Sequence, residues 1–114
     1  MCYHSRVIVI EPYIDRNGNI PFARWFDSLD DNTAARITKF LDRLENGNLS
    51  NIKSVGAGVM ELRIDFGPGF RIYLGKDGET LVVLLGGGTK KRQQLDVAAA
   101  QELWHEYKLR KREK

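Results

Sequence analysis

The chain has 114 residues, 42% hydrophobic and 29% charged with only three prolines, which excludes a disordered or fibrous polymer and leaves room for one modest core. Its longest apolar run, Leu81 to Leu85, is too short to cross a bilayer, and its single cysteine, Cys2, excludes a disulfide framework or a thiolate zinc site. The net charge of +3 is uneven: residues 1–89 carry 10 basic and 11 acidic side chains, whereas residues 90–114 carry 8 and 4.

Val7 to Ile10 is a β-branched apolar run that reads as a first strand, and Asp15-Arg16-Asn17-Gly18-Asn19 breaks it with turn chemistry. Pro21 suits the first turn of a helix, with Phe22, Trp25, Phe26 and Leu29 following at helical spacing. Asp30 or Asp31 caps a second helix whose stripe is Ile37, Phe40, Leu41 and Leu44, and Gly47 is placed to end it. The period then changes to two. Met60, Leu62, Ile64 and Phe66 form a core face, alternating with Val59, Glu61, Arg63 and Asp65. Gly67-Pro68-Gly69 is a turn. Phe70, Ile72 and Leu74 alternate with Arg71 and Tyr73, and Lys76-Asp77-Gly78 makes the next hairpin turn. Leu81 to Leu85, apolar on both faces, predicts a central strand, from which Gly86-Gly87-Gly88 releases the chain. Asp96 caps a last helix carrying Ala100, Leu103, Trp104 and Tyr107. The order β-α-α-β-β-β-α predicts an α+β domain, residues 1–114, in which a helical hairpin packs on a small, mainly antiparallel sheet and a basic tail closes the chain over residues 108–114.

No repeat or linker divides the chain. Arg6 and Glu11 interrupt any apolar stretch near Met1, so a cytoplasmic location without a membrane partner is expected. Basic clusters beside a near-neutral body point to polyanions or an acidic partner segment; the last seven residues read equally as a solvated, frayed tail. The pleat sets Arg63, Arg71 and Tyr73 on one polar face, near where Lys90-Lys91-Arg92 emerges, and cationic forks beside a phenol make a cradle for a phosphate. The plainer reading pairs Arg63 and Arg71 with Glu61 and Asp65 across the sheet. Cys2 and His4 are spaced like metal ligands but lack two more, so no metal and no cofactor is expected. No Gly-Lys-Ser/Thr follows the glycine run, which disfavours a Walker-type loop. Trp25 and Phe26 read as core, and His105 adjoins the stripe of the last helix.

Four segments carry a resemblance: Gly18-x-x-Pro21-Phe22-x-x-Trp25, Glu61-Leu62-Arg63-Ile64, Gly67-Pro68-Gly69-Phe70-Arg71-Ile72-Tyr73 and Leu84-Leu85-Gly86-Gly87-Gly88-x-Lys90. In register from about Val7 to Tyr107, they resemble the phage-derived, Gp49-like and HigB-like "addiction module killer protein" branch of the RelE/ParE toxin superfamily. The resemblance implies the toxin half of a type II toxin–antitoxin pair, a metal-independent endoribonuclease that cuts mRNA on the translating ribosome. It also implies a helix-turn-helix, HigA-like antitoxin that neutralises the toxin and holds the complex on operator DNA. ParE-like relatives share the fold but poison gyrase without catalysis, and a degenerate, non-toxic member is a third possibility.

Ribose 2′-hydroxyl attack on the adjacent phosphate needs a base, an acid for the leaving oxygen, and cations for the phosphorane. By resemblance, Arg71 matches the phosphate-contacting arginine and Lys90 falls near the arginine that protonates the leaving group; Arg63, on the same face, is placed to share the phosphate charge. Lys91, Arg92 and Lys53 are further phosphate contacts. Two positions depart from the RelE-like pattern: Glu61 replaces a lysine and Asp96 a tyrosine. Glu61 or Asp96 then becomes the candidate base, with Tyr73 as donor, although Asp96 reads equally as a helix cap. HigB-like enzymes often use histidine and aspartate instead, but the two histidines here, His4 and His105, lie outside the motif-bearing segments.

Overall fold

The computed structural model describes residues 8–113; Cys2, His4 and the predicted strand start at Val7 lie outside them. Three α-helices and one five-stranded sheet make a mixed α+β fold: β1 (Val9–Pro12), α1 (Pro21–Asp27), α2 (Asp31–Glu45), β2 (Ile52–Gly56), β3 (Val59–Ile64), β4 (Phe70–Asp77), β5 (Leu81–Thr89) and α3 (Gln93–Arg112), the last entered through a 3-10 turn, Lys90–Arg92. The sheet order is β1-β5-β4-β3-β2, with β1 parallel to β5 and every other pair antiparallel.

Local chemistry sets the helix ends. Asp15 Oδ1 accepts from the backbone N–H groups of Asn17 and Asn19, both at 2.9 Å, and Gly18 takes a left-handed φ of 82°. Pro21 then opens α1. Asp30 caps α2 by accepting from the Thr33 N–H at 2.7 Å, which holds its carboxyl below the usual range. At the far end Gly47, at φ 86°, donates to Leu44 O while Asn48 donates to Arg43 O, closing the paired bonds of a Schellman motif.

Both faces of the sheet are covered. On one, Phe22 of α1 with Ile37 and Leu44 of α2 pack on Leu62, Ile64, Phe70, Ile72, Leu74, Val82 and Leu84. Trp25, Phe26, Phe40 and Leu41 pack against this cluster, as their spacing predicts. On the other, Ala100 and Trp104 of α3, with Leu103 and Tyr107, cover Val59, Tyr73, Val83 and Leu85. Trp104 sits so close to the sheet that a Cβ on Gly75 would fall 2.5 Å from its ring. Trp25 does the same on the opposite face, 2.3 Å from a Cβ on Gly87.

Four features correct the sequence reading. Ile52–Gly56 is an additional strand at the sheet edge, joined to β3 through Gly56-Ala57-Gly58 with positive φ at all three residues. Gly86–Gly88 stays inside β5 and pairs with Tyr73, Ile72 and Arg71. Lys76 and Asp77 belong to β4, leaving the turn to residues 78–80. Asp96 lies in the first turn of α3 without capping it, since the helix begins at Gln93 with Arg92 at the cap position. The predicted tail is helical to Arg112. Arg110 donates to Ile14 O at 2.7 Å, Lys111 meets Asp77 at 2.6 Å and Arg16 meets Glu113 at 2.7 Å.

Candidate nucleic-acid interface

The cationic residues gather at the end of the sheet where β3 leaves and β4 begins. Antiparallel register sets Arg63 opposite Arg71, and Arg71 opposite Gly88 on β5, so both guanidinium side chains rise from one face. The Gly67-Pro68-Gly69 turn folds over this corner, with positive φ at both glycines. Gly69 O accepts from the Lys90 N–H at 2.9 Å and so ties the turn to the exit of β5. A Cβ at Gly69 would lie 3.5 Å from Arg71 Nη1 and 3.6 Å from Lys90 Cβ, so this glycine sits between the Arg71 guanidinium and the base of the Lys90 side chain. Together Arg63, Asp65, Phe66, Gly67, Pro68, Gly69, Arg71 and Lys90 line an open groove of about 370 Å³. A second hollow of about 490 Å³ continues from Lys90 across Lys91, Arg92 and Leu95.

Beneath the groove lies a buried polar layer that periodicity had assigned to an exposed face. Glu61 and Tyr73, cross-strand partners, are 0% exposed, and Arg71 is only 3% exposed. The reason is α3, which covers this face as the helical hairpin covers the other. Arg71 Nε lies 3.7 Å from Glu61 Oε2, and its Nη1 donates to Gly69 O at 3.3 Å. Gln93 Nε2 donates to Glu61 Oε2 at 2.7 Å, fastening the start of α3 to the sheet. Glu61 Oε1, Arg71 Nε, Tyr73 OH and Asp96 Oδ2 have no hydrogen-bond partner among the described residues. Asp96 packs over Gly88, where a Cβ would meet its Oδ2 at 1.9 Å. Burial raises the Asp96 carboxyl above its usual range, against the pull of Arg92 at 3.8 Å. Burial, reinforced by the charges of Glu61 and Asp96, pushes the Tyr73 phenol far up, so it stays protonated at neutral pH.

The structure thus brings Arg63, Arg71 and Lys90 into one groove, with Lys91 and Arg92 exposed beside it. Tyr73 and Glu61 are enclosed below, and Asp96 is largely covered at the foot of α3. Lys53 is exposed on edge strand β2, in register with Glu61 and outside the groove lining. His105 is exposed on α3. Sequence reasoning passed over two groove residues, Asp65 and Phe66, whose signal was their position directly before the Gly67-Pro68-Gly69 turn. Among the described residues, no three His, Cys, Asp or Glu side chains gather as metal ligands, and no helix is long and apolar enough to cross a membrane.

Residues 24–104, which contain the whole groove, match the family model "Phage derived protein Gp49-like (DUF891)". The chain belongs to the Gp49-like family. A relative from Haemophilus influenzae, described as an uncharacterized protein, is 42% identical over 88 residues, spanning 76% of this chain and 89% of its own length. Gp49-like proteins are members of the RelE/HigB-like toxin superfamily, which suggests a toxin–antitoxin related function and an antitoxin partner.

Proposed function

We propose that this Gp49-like protein is the toxin of a type II toxin–antitoxin pair and acts as a ribosome-dependent mRNA endonuclease, restrained by a helix-turn-helix antitoxin whose complex with it occupies operator DNA. The observation that carries this reading is the convergence of Arg63, Arg71 and Lys90 on one groove beside the exposed Lys91 and Arg92. Phosphate oxygens are the ligands that such forks and ammonium groups hold.

In this reading the scissile phosphate sits between Arg71 and Lys90, whose charges stabilise the phosphorane as the 2′-hydroxyl attacks. Arg63 shares that charge from the adjoining strand. Lys90, exposed at the groove's rim, protonates the departing 5′-oxygen, and a cyclic phosphate remains. Asp65 is the one carboxylate in the groove lining and pairs with no cation among the described residues, which supports it as the base for the 2′-hydroxyl. Glu61 and Tyr73 are enclosed under α3, so they support Arg71 without meeting RNA.

The test is induction of the chain alone in bacterial cells with 5′-end mapping of mRNA, for the wild type and for Lys90→Ala, Arg71→Ala and Asp65→Asn. New ends within translated frames in the wild type, lost in Lys90→Ala and Arg71→Ala and reduced by about 10²-fold or more in Asp65→Asn, are expected. Lys90 is exposed, so its variant keeps the fold even if removal of the buried Arg71 does not. Growth arrest with intact mRNA would overturn the nuclease reading in favour of gyrase inhibition. Undiminished cleavage by Lys90→Ala would remove this groove as the site.

A further inference from the structure

One wall of the groove is aromatic. Phe66 is half-buried, anchored against the α1–α2 core cluster and tilted against Phe70 with ring centroids 6.1 Å apart. From α2, Arg36 lays its guanidinium carbon 4.2 Å from the centroid of the Phe66 ring. Arg36 is exposed and forms no salt bridge among the described residues, while its guanidinium lies over that ring. Phe66 itself lines the groove, so through that ring the exposed Arg36 cation adjoins the hollow that Arg63, Arg71 and Lys90 line.

The N–H edge of such a cation can serve a phosphate, but its π-face offers a contact that only a nucleotide base uses. Bases of single-stranded RNA stack on aromatic rings and on arginine planes, and the stacking tolerates any base because each has a π-face. We infer that Arg36, seated over the Phe66 ring, is the stacking platform for an unpaired RNA base flanking the phosphate that Arg71 and Lys90 hold. The inference rests on the RNA-binding reading above and gives it a binding subsite: the groove takes a nucleotide in a single strand, with backbone and base bound by different walls.

A base-free polyanion separates the two contributions. Binding of a short, 2′-O-methylated single-stranded RNA, which cannot be cleaved, is followed by fluorescence anisotropy, with inorganic polyphosphate as competitor. Wild type, Arg36→Lys and Phe66→Leu are compared. Arg36→Lys keeps the charge and loses the plane; Phe66→Leu keeps an apolar anchor and loses the ring. Each is expected to weaken RNA binding by about 5- to 20-fold while leaving polyphosphate binding within about two-fold of wild type. Unchanged RNA affinity in Arg36→Lys, or a parallel loss of RNA and polyphosphate, would overturn the platform. Because Arg36 is exposed, that variant decides the matter even if Phe66→Leu disturbs the core. A wild-type protein that binds RNA no more tightly than polyphosphate overturns the platform directly, and one that binds neither removes the RNA-binding reading beneath it.

Discussion

Glu61→Gln tests whether the buried layer under the groove is an electrostatic unit. The substitution keeps the shape and an acceptor for Gln93, and removes only the charge facing Arg71. At 3.7 Å two opposite charges attract by about 4.5 kcal/mol at an effective dielectric of about 20. Two corrections reduce that figure: the variant no longer bears the desolvation cost of a buried carboxylate, and Arg71 Nη1 keeps the Gly69 and Phe70 carbonyls at 3.3 and 3.5 Å. Breaking a buried pair commonly costs about 3–5 kcal/mol, so a net loss of about 2–3 kcal/mol is expected here. Urea unfolding at pH 7, followed through Trp25 and Trp104, would show it as a midpoint lower by about 1–2 M. A cycle with Arg71→Met should give a coupling of about 1–3 kcal/mol. A loss below about 0.5 kcal/mol with no coupling would mean that the two charges are solvated independently, and the enclosed pair described above would be wrong.

Neighbouring glycines in β5 should respond differently. Gly87→Ala drives a methyl into the Trp25 ring, 2.3 Å away, and should cost about 1–3 kcal/mol, whereas Gly86→Ala enters open space and should be nearly neutral in the same unfolding assay. Equal effects at the two positions would refute the close packing of α1 on the sheet. Three phenols predict alkaline weakening: burial raises Tyr13, Tyr73 and Tyr107, the last to about 12 with help from its bond to Asp77. Above pH 10 the unfolded chain loses phenolic protons that the native state retains, so stability falls as pH rises towards 12 and is unaffected by these groups at lower pH. Tyr107→Phe should make that decline shallower; an identical slope would place Tyr107 outside the linkage.

The helices were legible because each of their signals is local. The Asp30 cap, Pro21 and Gly47 act within a turn of their own positions, and the stripes from Phe22 to Leu44 repeat at one period. Strand β2 was illegible for a matching reason. Its two apolar residues, Ile52 and Val55, are three apart, and the bulge between Ser54 and Gly56 breaks any alternation. An edge strand whose five positions are all exposed or half-exposed has little hydrophobic signal to offer. The glycine run misled because glycine usually marks a loop; here it stays in the ladder, leaving room for Trp25 at Gly87 and Asp96 at Gly88.

Residue order alone determined the cations at the site: Arg63 and Arg71 share a face by pleat and pairing, and Lys90 follows β5 at the same corner. Tertiary structure decided which polar groups remain accessible. Alternation reports that Glu61, Arg71 and Tyr73 lie on a common face, but whether that face meets water depends on where α3 packs, some thirty residues further along the chain. Opposite charges on Glu61 and Arg71 let a polar face accept a helix, so a pattern that reads as solvent-facing became a second core. Asp65 and Phe66 line the groove beside the Gly67-Pro68-Gly69 turn, Asp65 exposed as alternation places it and Phe66 seated against the α1–α2 cluster.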